Sequence, residues 1–551
     1  MSGKKLASAA GTGGAGGGAW PGSGASGRAG AWAARPRRRG NRRSWLLAGP
    51  LLLAALATPA VTTGGRTAQA AAPSGAPSSA PSAAPAARVT ASTITLALAS
   101  GTTVPGRCVD ATATVTPDAT GSRVAIQRLR GGSWTTVRAG TLGSTSSLEV
   151  PVCFGWSLLG AVRLRAVELR GSAVEATSAT TVLTVARAKW MRRVDALAAG
   201  HAMSVSVADG GMFVYGRRAA VGRAPASNEK LLLSMALLRR FGPAAHITTR
   251  AAAGRVRDGV VRGNLWILGG GDPAITSARL ARLARELRAA GIQRIAGRVM
   301  GSIGYFAHDW YAPGWRPDFP RDEVALPTAL TINGNVRHGV PFGDPERRAA
   351  ATLTRSLRAL GVTVAGTPGA GLAPRGLHTV ATLTSASMAT LLHRMDLWSS
   401  NFDAEILGKL IGASRSGAPG TIAKAAAAIR AFASARGVSV TAYDASGLSS
   451  ANRVSARGVV TLLRSVESAP WLDALRAALP RPGEGTLSGR LSGLRVRAKT
   501  GTLADASALS GWVWVSSEGG WAEFSILSHG TPSALKRIEN RIVRIIATHS
   551  P

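Results

Sequence analysis

The stretch RAPASNEKLLLS, Arg223–Ser234, sets the reading of the chain. Pro225 and Ala226 precede Ser227, Lys230 follows one helical turn later, and an apolar run starts at Leu231. Proline presets the first turn of a helix. Ser227 therefore falls near a helix N-terminus, where free N–H groups and the positive end of the dipole favour developing negative charge. Residues three apart share a helix face, so the Lys230 amine can reach the Ser227 hydroxyl. Two readings stay open here: a serine capping an ordinary helix, or a nucleophile beside its base. A lysine works as a base only when neutral, which requires burial or a neighbouring cation. Glu229, two positions after the serine, is expected to point away from the shared face and outside any pocket. The spacing alone decides nothing, because Ser2-Gly3-Lys4-Lys5 and Ser533-Ala534-Leu535-Lys536 also fit S-x-x-K. Both are read as accidents of position.

Distant residues choose among the copies. Ser399-Ser400-Asn401 precedes the helix-patterned FDAEILGKL, and Lys499-Thr500-Gly501-Thr502 ends the alternating run LRVRAKT. Ser450-Ala451-Asn452 repeats the S-x-N pattern, so that motif is weak by itself. The order S-x-x-K, S-x-N, K-T-G is the signature of serine penicillin-recognising enzymes. Longer stretches accompany it: GNLWILGGGDPAIT (263–276), ALTINGN (329–335), DASGLSSANRVS (444–455), GEGTLSGRL (483–491) and AKTGTLADASALSGWV (498–513). At these residues the chain resembles the low-molecular-mass class C penicillin-binding proteins, the D-alanyl-D-alanine carboxypeptidase/endopeptidase family. The resemblance covers most of Ala188–Thr548. The long interval between Ser227 and Ser399 leaves room for that family's large insertion.

The resemblance implies a mechanism. Ser227 is the expected nucleophile and Lys230 its general base, with Lys499 helping to keep Lys230 neutral by like-charge repulsion. Ser399 is expected to relay a proton to the leaving amine, and Asn401 to bond the lysine region and the substrate amide. Lys499 and Thr500 are expected to meet the terminal carboxylate of a peptidoglycan stem peptide. Gly501 lies in the same substrate-binding run, and the N–H groups of Ser227 and Thr502 would form the oxyanion hole. β-Lactams are expected to trap Ser227. A catalytically weak wall-binding or scaffolding protein, and a β-lactamase or esterase with the same constellation, are the alternatives. Gly301 and Ser302 stand where relatives commonly carry an acid that reads the distal end of the peptide, which puts that recognition in doubt. His308, Trp310 and Trp315 read as packing or surface residues.

The pattern along the chain gives a multidomain architecture. Basic residues 35–43, an apolar stretch broken by Pro50 and Pro59, and Ala68-Gln69-Ala70 resemble a secretory signal over residues 1–70; an uncleaved anchor is the alternative. Export into the cell envelope or beyond follows from it. Residues 71–87 are rich in Pro, Ser and Ala and form a linker. Residues 88–187 alternate in short runs between turn signals, which predicts an all-β, immunoglobulin-like sandwich. The rest predicts an α/β serine β-lactamase/transpeptidase-like domain over 188–250 and 385–551, with an inserted domain over 251–384. Helices are expected over 228–241, 277–290, 345–360, 402–411 and 421–435, and strands over 202–208, 494–500 and 509–515.

The 551 residues carry a formal charge of +38. Residues 1–70 hold ten basic residues and no acid, and arginine-rich composition runs along the whole chain. No nucleic-acid recognition motif is present, so polyanionic cell-wall contact is favoured over nucleic acid. Cys108 and Cys153, the two cysteines, lie in one β-patterned stretch of an exported chain and predict a single disulfide. No C-x-x-C and no His pair at ligand spacing occurs, so neither metal nor cofactor is expected.

Overall fold

The structure is a computed structural model that describes residues 91–549. The expected leader and linker lie outside the described residues. No described helix is long and apolar enough to cross a membrane.

The alternating runs that open the described chain form two sheets. One is ordered Thr93–Leu98, Cys108–Thr116, Ser147–Cys153. The other is ordered Thr102–Thr103, Thr181–Val185, Gly160–Arg170, Arg123–Arg130, Ser133–Thr141, with Ala173–Thr177 folded back on Gly160–Arg170. Period-two patterning puts Val109, Ala111, Ala113 and Val115 on one face of their strand. They pack against Val124, Ile126 and Leu164 of the other sheet, each large apolar side chain contributing about 1.5–3 kcal/mol. Cys108 and Cys153 are bonded and face each other on neighbouring antiparallel strands, so the disulfide staples one sheet rather than tying the two sheets together.

The second half of the architecture is a five-stranded antiparallel sheet ordered Met212–Arg217, Ala202–Asp209, Gly520–His529, Ala506–Val515, Val496–Leu503. Its strands are buried on both faces. Ala508 and Trp512 point into a helical layer built from Glu229–Phe241, Met388–Trp398, Asn401–Ser416, Ile422–Ser434 and Ala456–Arg464. Leu509, Val513 and Val515 point the other way, onto the flanking helices Lys189–Ala198 and Pro532–Ala547. The helices and strands expected from periodicity all occur. The K-T-G strand differs in its end: it runs on to Leu503, so the motif lies inside the strand.

Between the first two helices of the helical layer the chain makes a separate sheet, ordered Gly369–Gly371, Val299–Ser302, Leu265–Leu268, His246–Ala253, His378–Ser387. It packs on the helices Ser277–Ala289 and Pro345–Ala359 around its own core. Strands His246–Ala253 and His378–Ser387 pair with each other, so this sheet begins and ends a few residues outside the limits 251 and 384.

Candidate active site

Ser227 sits in a short 3-10 turn, Ala226–Asn228, that leads into the helix Glu229–Phe241. Ser227 is not the cap of that helix: Asn228 holds the cap position, and no side chain there bonds a free N–H. Its hydroxyl is instead engaged by Lys230, whose Nζ donates to Ser227 Oγ at 3.0 Å. Ala226 has a left-handed backbone, φ 48°, at a cost of about 1–3 kcal/mol for a non-glycine residue. Two glycines make room for this turn. A Cβ at Gly447 would lie 1.9 Å from Ala226 O, and one at Gly501 would lie 2.7 Å from Pro225 O.

Ser399 is the left-handed residue, φ 57°, that ends helix Met388–Trp398. Ser400 caps the next helix, its Oγ accepting from Asp403 N, and Asn401 opens that helix. The S-x-N motif is therefore the junction of two helices, with its middle residue serving the cap and its outer residues free to face the site. Lys499 is fully buried, and its Nζ donates to Ser399 Oγ at 2.9 Å and Thr500 O at 3.0 Å.

The surroundings of Lys230 orient its lone pair. Besides Ser227 Oγ, Nζ donates to Asn401 Oδ1 at 2.7 Å and to Ser446 O at 2.6 Å. Those two oxygens can only accept, and the Asn401 amide is held this way round because its Nδ2 donates to Glu323 Oε2 at 3.0 Å. A neutral Lys230 keeps both bonds and turns its lone pair to Ser227, the one neighbour able to donate. Burial pushes the Lys230 amine down to about 8, against the opposing pull of the Asp444, Asp396 and Glu405 carboxylates. Like-charge repulsion plays a smaller part than expected. It acts on Lys499, which burial lowers first and the Lys230 charge second.

Several groups in this arrangement were not singled out from sequence. Buried Asp444 accepts from Trp315 Nε1, Ser449 N and Asn452 Nδ2, each at 2.7 Å, and so shapes the loop that carries Ser446 and Gly447. Glu405 accepts from Ala445 N and Ser446 N. The repeated S-x-N at Ser450–Asn452 thus has a structural use. Trp310 Nε1 donates to Val324 O and His308 pairs with Glu346; neither Trp310 nor His308 lines the Ser227 cavity. Glu229 does not line the Ser227 cavity, but neither does it meet solvent. The helix is buried all round at this level, and both Glu229 oxygens lack a hydrogen-bond partner. Burial, then the Asp444 and Glu405 charges, raises its carboxyl well above the ordinary glutamate range.

A cavity of about 570 Å³ opens over Ser227, lined by Ser399, Asn401, Thr500, Gly501 and Thr502 among others. Strand Val496–Leu503 is the last of its sheet, so its outer edge can pair with an extended peptide. Ser302 does not line this cavity but a separate one beside Gly269 and Gly270. The adjoining Gly301 admits no side chain, because a Cβ there would lie 2.3 Å from Glu346 O. The carboxylate that does line the Ser227 cavity is Glu323. Among the described residues one set of potential metal ligands comes together, Asp209, Glu518 and His549. It lines a different cavity, and Arg107 already pairs with Glu518 at 3.1 Å.

A buried lysine aimed at a serine, a second serine–lysine pair and an open sheet edge are the equipment of acyl transfer from a peptide. Comparison with known proteins gives the family. The family model for the D-Ala-D-Ala carboxypeptidase 3 (S13) family matches residues 189–340 and 335–549. A D-alanyl-D-alanine carboxypeptidase of Actinomadura sp. (strain R39) is 30% identical over 408 residues, spanning 58% of this chain and 75% of the relative. The carboxypeptidase DacB of Mycolicibacterium smegmatis is 29% identical over 343 residues, 56% of this chain and 72% of that one. Penicillin-binding protein 4 of Haemophilus influenzae shares the fold with a TM-score of 0.57 at 20% identity, over 65% of this chain and 99% of that chain. The chain belongs to the D-Ala-D-Ala carboxypeptidase 3 (S13) family of serine-type peptidases.

Proposed function

We propose that the protein is an exported D,D-peptidase that cleaves the D-Ala-D-Ala end of peptidoglycan stem peptides through an acyl-enzyme at Ser227. The observation that carries this reading is the lone-pair geometry of Lys230: two acceptor-only oxygens hold the amine so that only Ser227 can give it a proton. Ser227 Oγ attacks the carbonyl between the two D-alanines as its proton passes to Lys230. The N–H groups of Ser227 and Thr502 receive the oxyanion, a contribution of about 3–4 kcal/mol per donor. Ser399 passes its proton to the departing amine and takes a replacement from Lys499, which bonds its Oγ; the C–N bond breaks, D-alanine leaves and Lys230 keeps the proton taken from Ser227. Water then attacks the Ser227 ester, its proton passing through Ser399 back to Lys499 while Lys230 returns its proton to Ser227 Oγ, and the shortened peptide is released.

β-Lactams present the same acyl group and would stop at the ester. Cleavage of cross-links uses the same steps, because it too breaks the bond after a D-alanine carbonyl. The two-sheet module at the start of the described chain serves as an immunoglobulin-like spacer with a basic surface for the wall, in keeping with the excess of positive charge.

Labelling with a fluorescent penicillin, with release of D-alanine from an acyl-D-Ala-D-Ala peptide measured in parallel, tests the reading. Wild type should form a lasting adduct and release D-alanine, and Ser227→Ala should do neither. Absence of a Ser227-dependent adduct would leave the wall-binding scaffold as the better reading, and rapid penicillin turnover would favour a β-lactamase.

A further inference from the structure

Lys499 was the cation expected to meet the substrate's terminal carboxylate, but the structure occupies it elsewhere. It is fully buried, its amine is spent on Ser399 Oγ and Thr500 O, and it does not line the Ser227 cavity. Three other cations do: Arg316, Arg490 and Lys536. Arg316 is paired with Asp318. Arg490 is clamped by Glu539 and Asn540, both at 3.0 Å. Lys536 is half-buried and has no hydrogen bond or ion pair to any described residue. It stands in the first turns of helix Pro532–Ala547 and lines the cavity together with Thr502, Leu503 and Ala504, where the substrate-pairing edge ends.

We infer that Lys536 reads the carboxylate borne by the leaving residue of the substrate, on the carbon that carries the departing amine. This rests on the proposed D,D-peptidase function and adds a specificity determinant to it. An unpaired ammonium in a half-enclosed cavity is the natural partner of a free carboxylate, and such a charge-assisted bond discriminates strongly against a neutral amide. A leaving D-alanine, or any leaving amino acid whose α-carboxylate is free, satisfies Lys536; one whose carboxylate is amidated does not.

The experiment compares kcat/KM for an acyl-D-Ala-D-Ala peptide and the matching acyl-D-Ala-D-alaninamide, in wild type, Lys536→Met, Lys536→Arg and Ser227→Ala. Wild type should prefer the free carboxylate. Lys536→Met should lose about 10- to 100-fold on the carboxylate substrate and almost nothing on the amide, so turnover of the amide also reports that the variant is folded. Lys536→Arg should recover most of the preference. A Lys536→Met enzyme that keeps the wild-type preference, or that loses equally on both substrates, overturns the assignment while the D,D-peptidase reading stands. A wild type that cleaves neither substrate overturns both.

Discussion

Lys230 shows how one residue can be both buried and useful. Its ammonium finds three acceptors, yet only one of them has a proton to give. Because the protonated amine cannot accept that proton, kcat/KM should rise with pH through the Lys230 pKa, which burial lowers to about 8. A pH–rate profile with its acid limb near 8 is expected; a limb near the ordinary lysine value of 10.5 would contradict the role of burial. Glu229, the neighbouring residue, is a liability at the same scale. A carboxyl whose pKa is raised in the folded state favours folding below its unfolded pKa, and that contribution is lost as pH rises through the folded value. Glu229 is raised well above 4.5, so Glu229→Gln should gain melting temperature relative to wild type as pH climbs from 5 to 9. A difference that does not change with pH would mean the carboxyl is not strained by burial.

At the scale of elements, the candidate active site is a meeting of ends: a 3-10 turn, a junction of two helices, a loop and a sheet edge. Their mutual distances are set by residues with no side chain. Gly501 faces the Ser227 turn, and a methyl there would press on Pro225 O at 2.7 Å and Asn228 Nδ2 at 2.9 Å. Gly501→Ala should therefore leave the sheet folded but displace Ser227, slowing penicillin acylation by about 100-fold, as misplacement of about 1 Å does. Gly447→Ala should be worse, because its φ of 82° and its 1.9 Å approach to Ala226 O penalise both backbone and packing. A loss of about 2–4 kcal/mol in denaturant unfolding is expected. The disulfide acts on another element: Cys108 and Cys153 close a loop in the β-module.

For the whole molecule, the order of the five-stranded sheet separates two tasks. Val496–Leu503 is one edge and Met212–Arg217 the other. The β-module packs on the second: Trp156 lies over Gly216, where a Cβ would come within 2.7 Å of its ring, and Gly155 lies against Phe213 O. With strands about 4.8 Å apart, the module is held roughly 19 Å across the sheet from the Val496–Leu503 edge. Trp156→Ala should loosen the module, seen as faster proteolysis near residues 186–189, with kcat/KM on a soluble peptide unchanged within about threefold. The ion pair of Arg107 with Glu518 across the same contact is half-exposed, and such pairs contribute about 0–1 kcal/mol.

The amino-acid order by itself carried several of the elements and the candidate reacting groups. Periodicity located five helices and three strands of the second half, where burial of one face repeats every three to four or every second residue; helices such as Met388–Trp398 and Pro532–Ala547, the edge strand Met212–Arg217 and the strands of the insertion were not marked by it. Three spaced motifs brought Ser227, Lys230, Ser399, Asn401 and Lys499 to notice. What it could not carry was anything that depends on which distant residues share an interior. Ser446 O and Glu323 fix the orientation of Lys230 and Asn401, and neither has a local pattern to mark it. The lysine of a discarded S-x-x-K, Lys536, lines the cavity, while the expected carboxylate partner Lys499 is enclosed. Chain position says nothing of exposure or of free hydrogen-bonding capacity; these are fixed only when the sheet, its helices and the insertion close around one another.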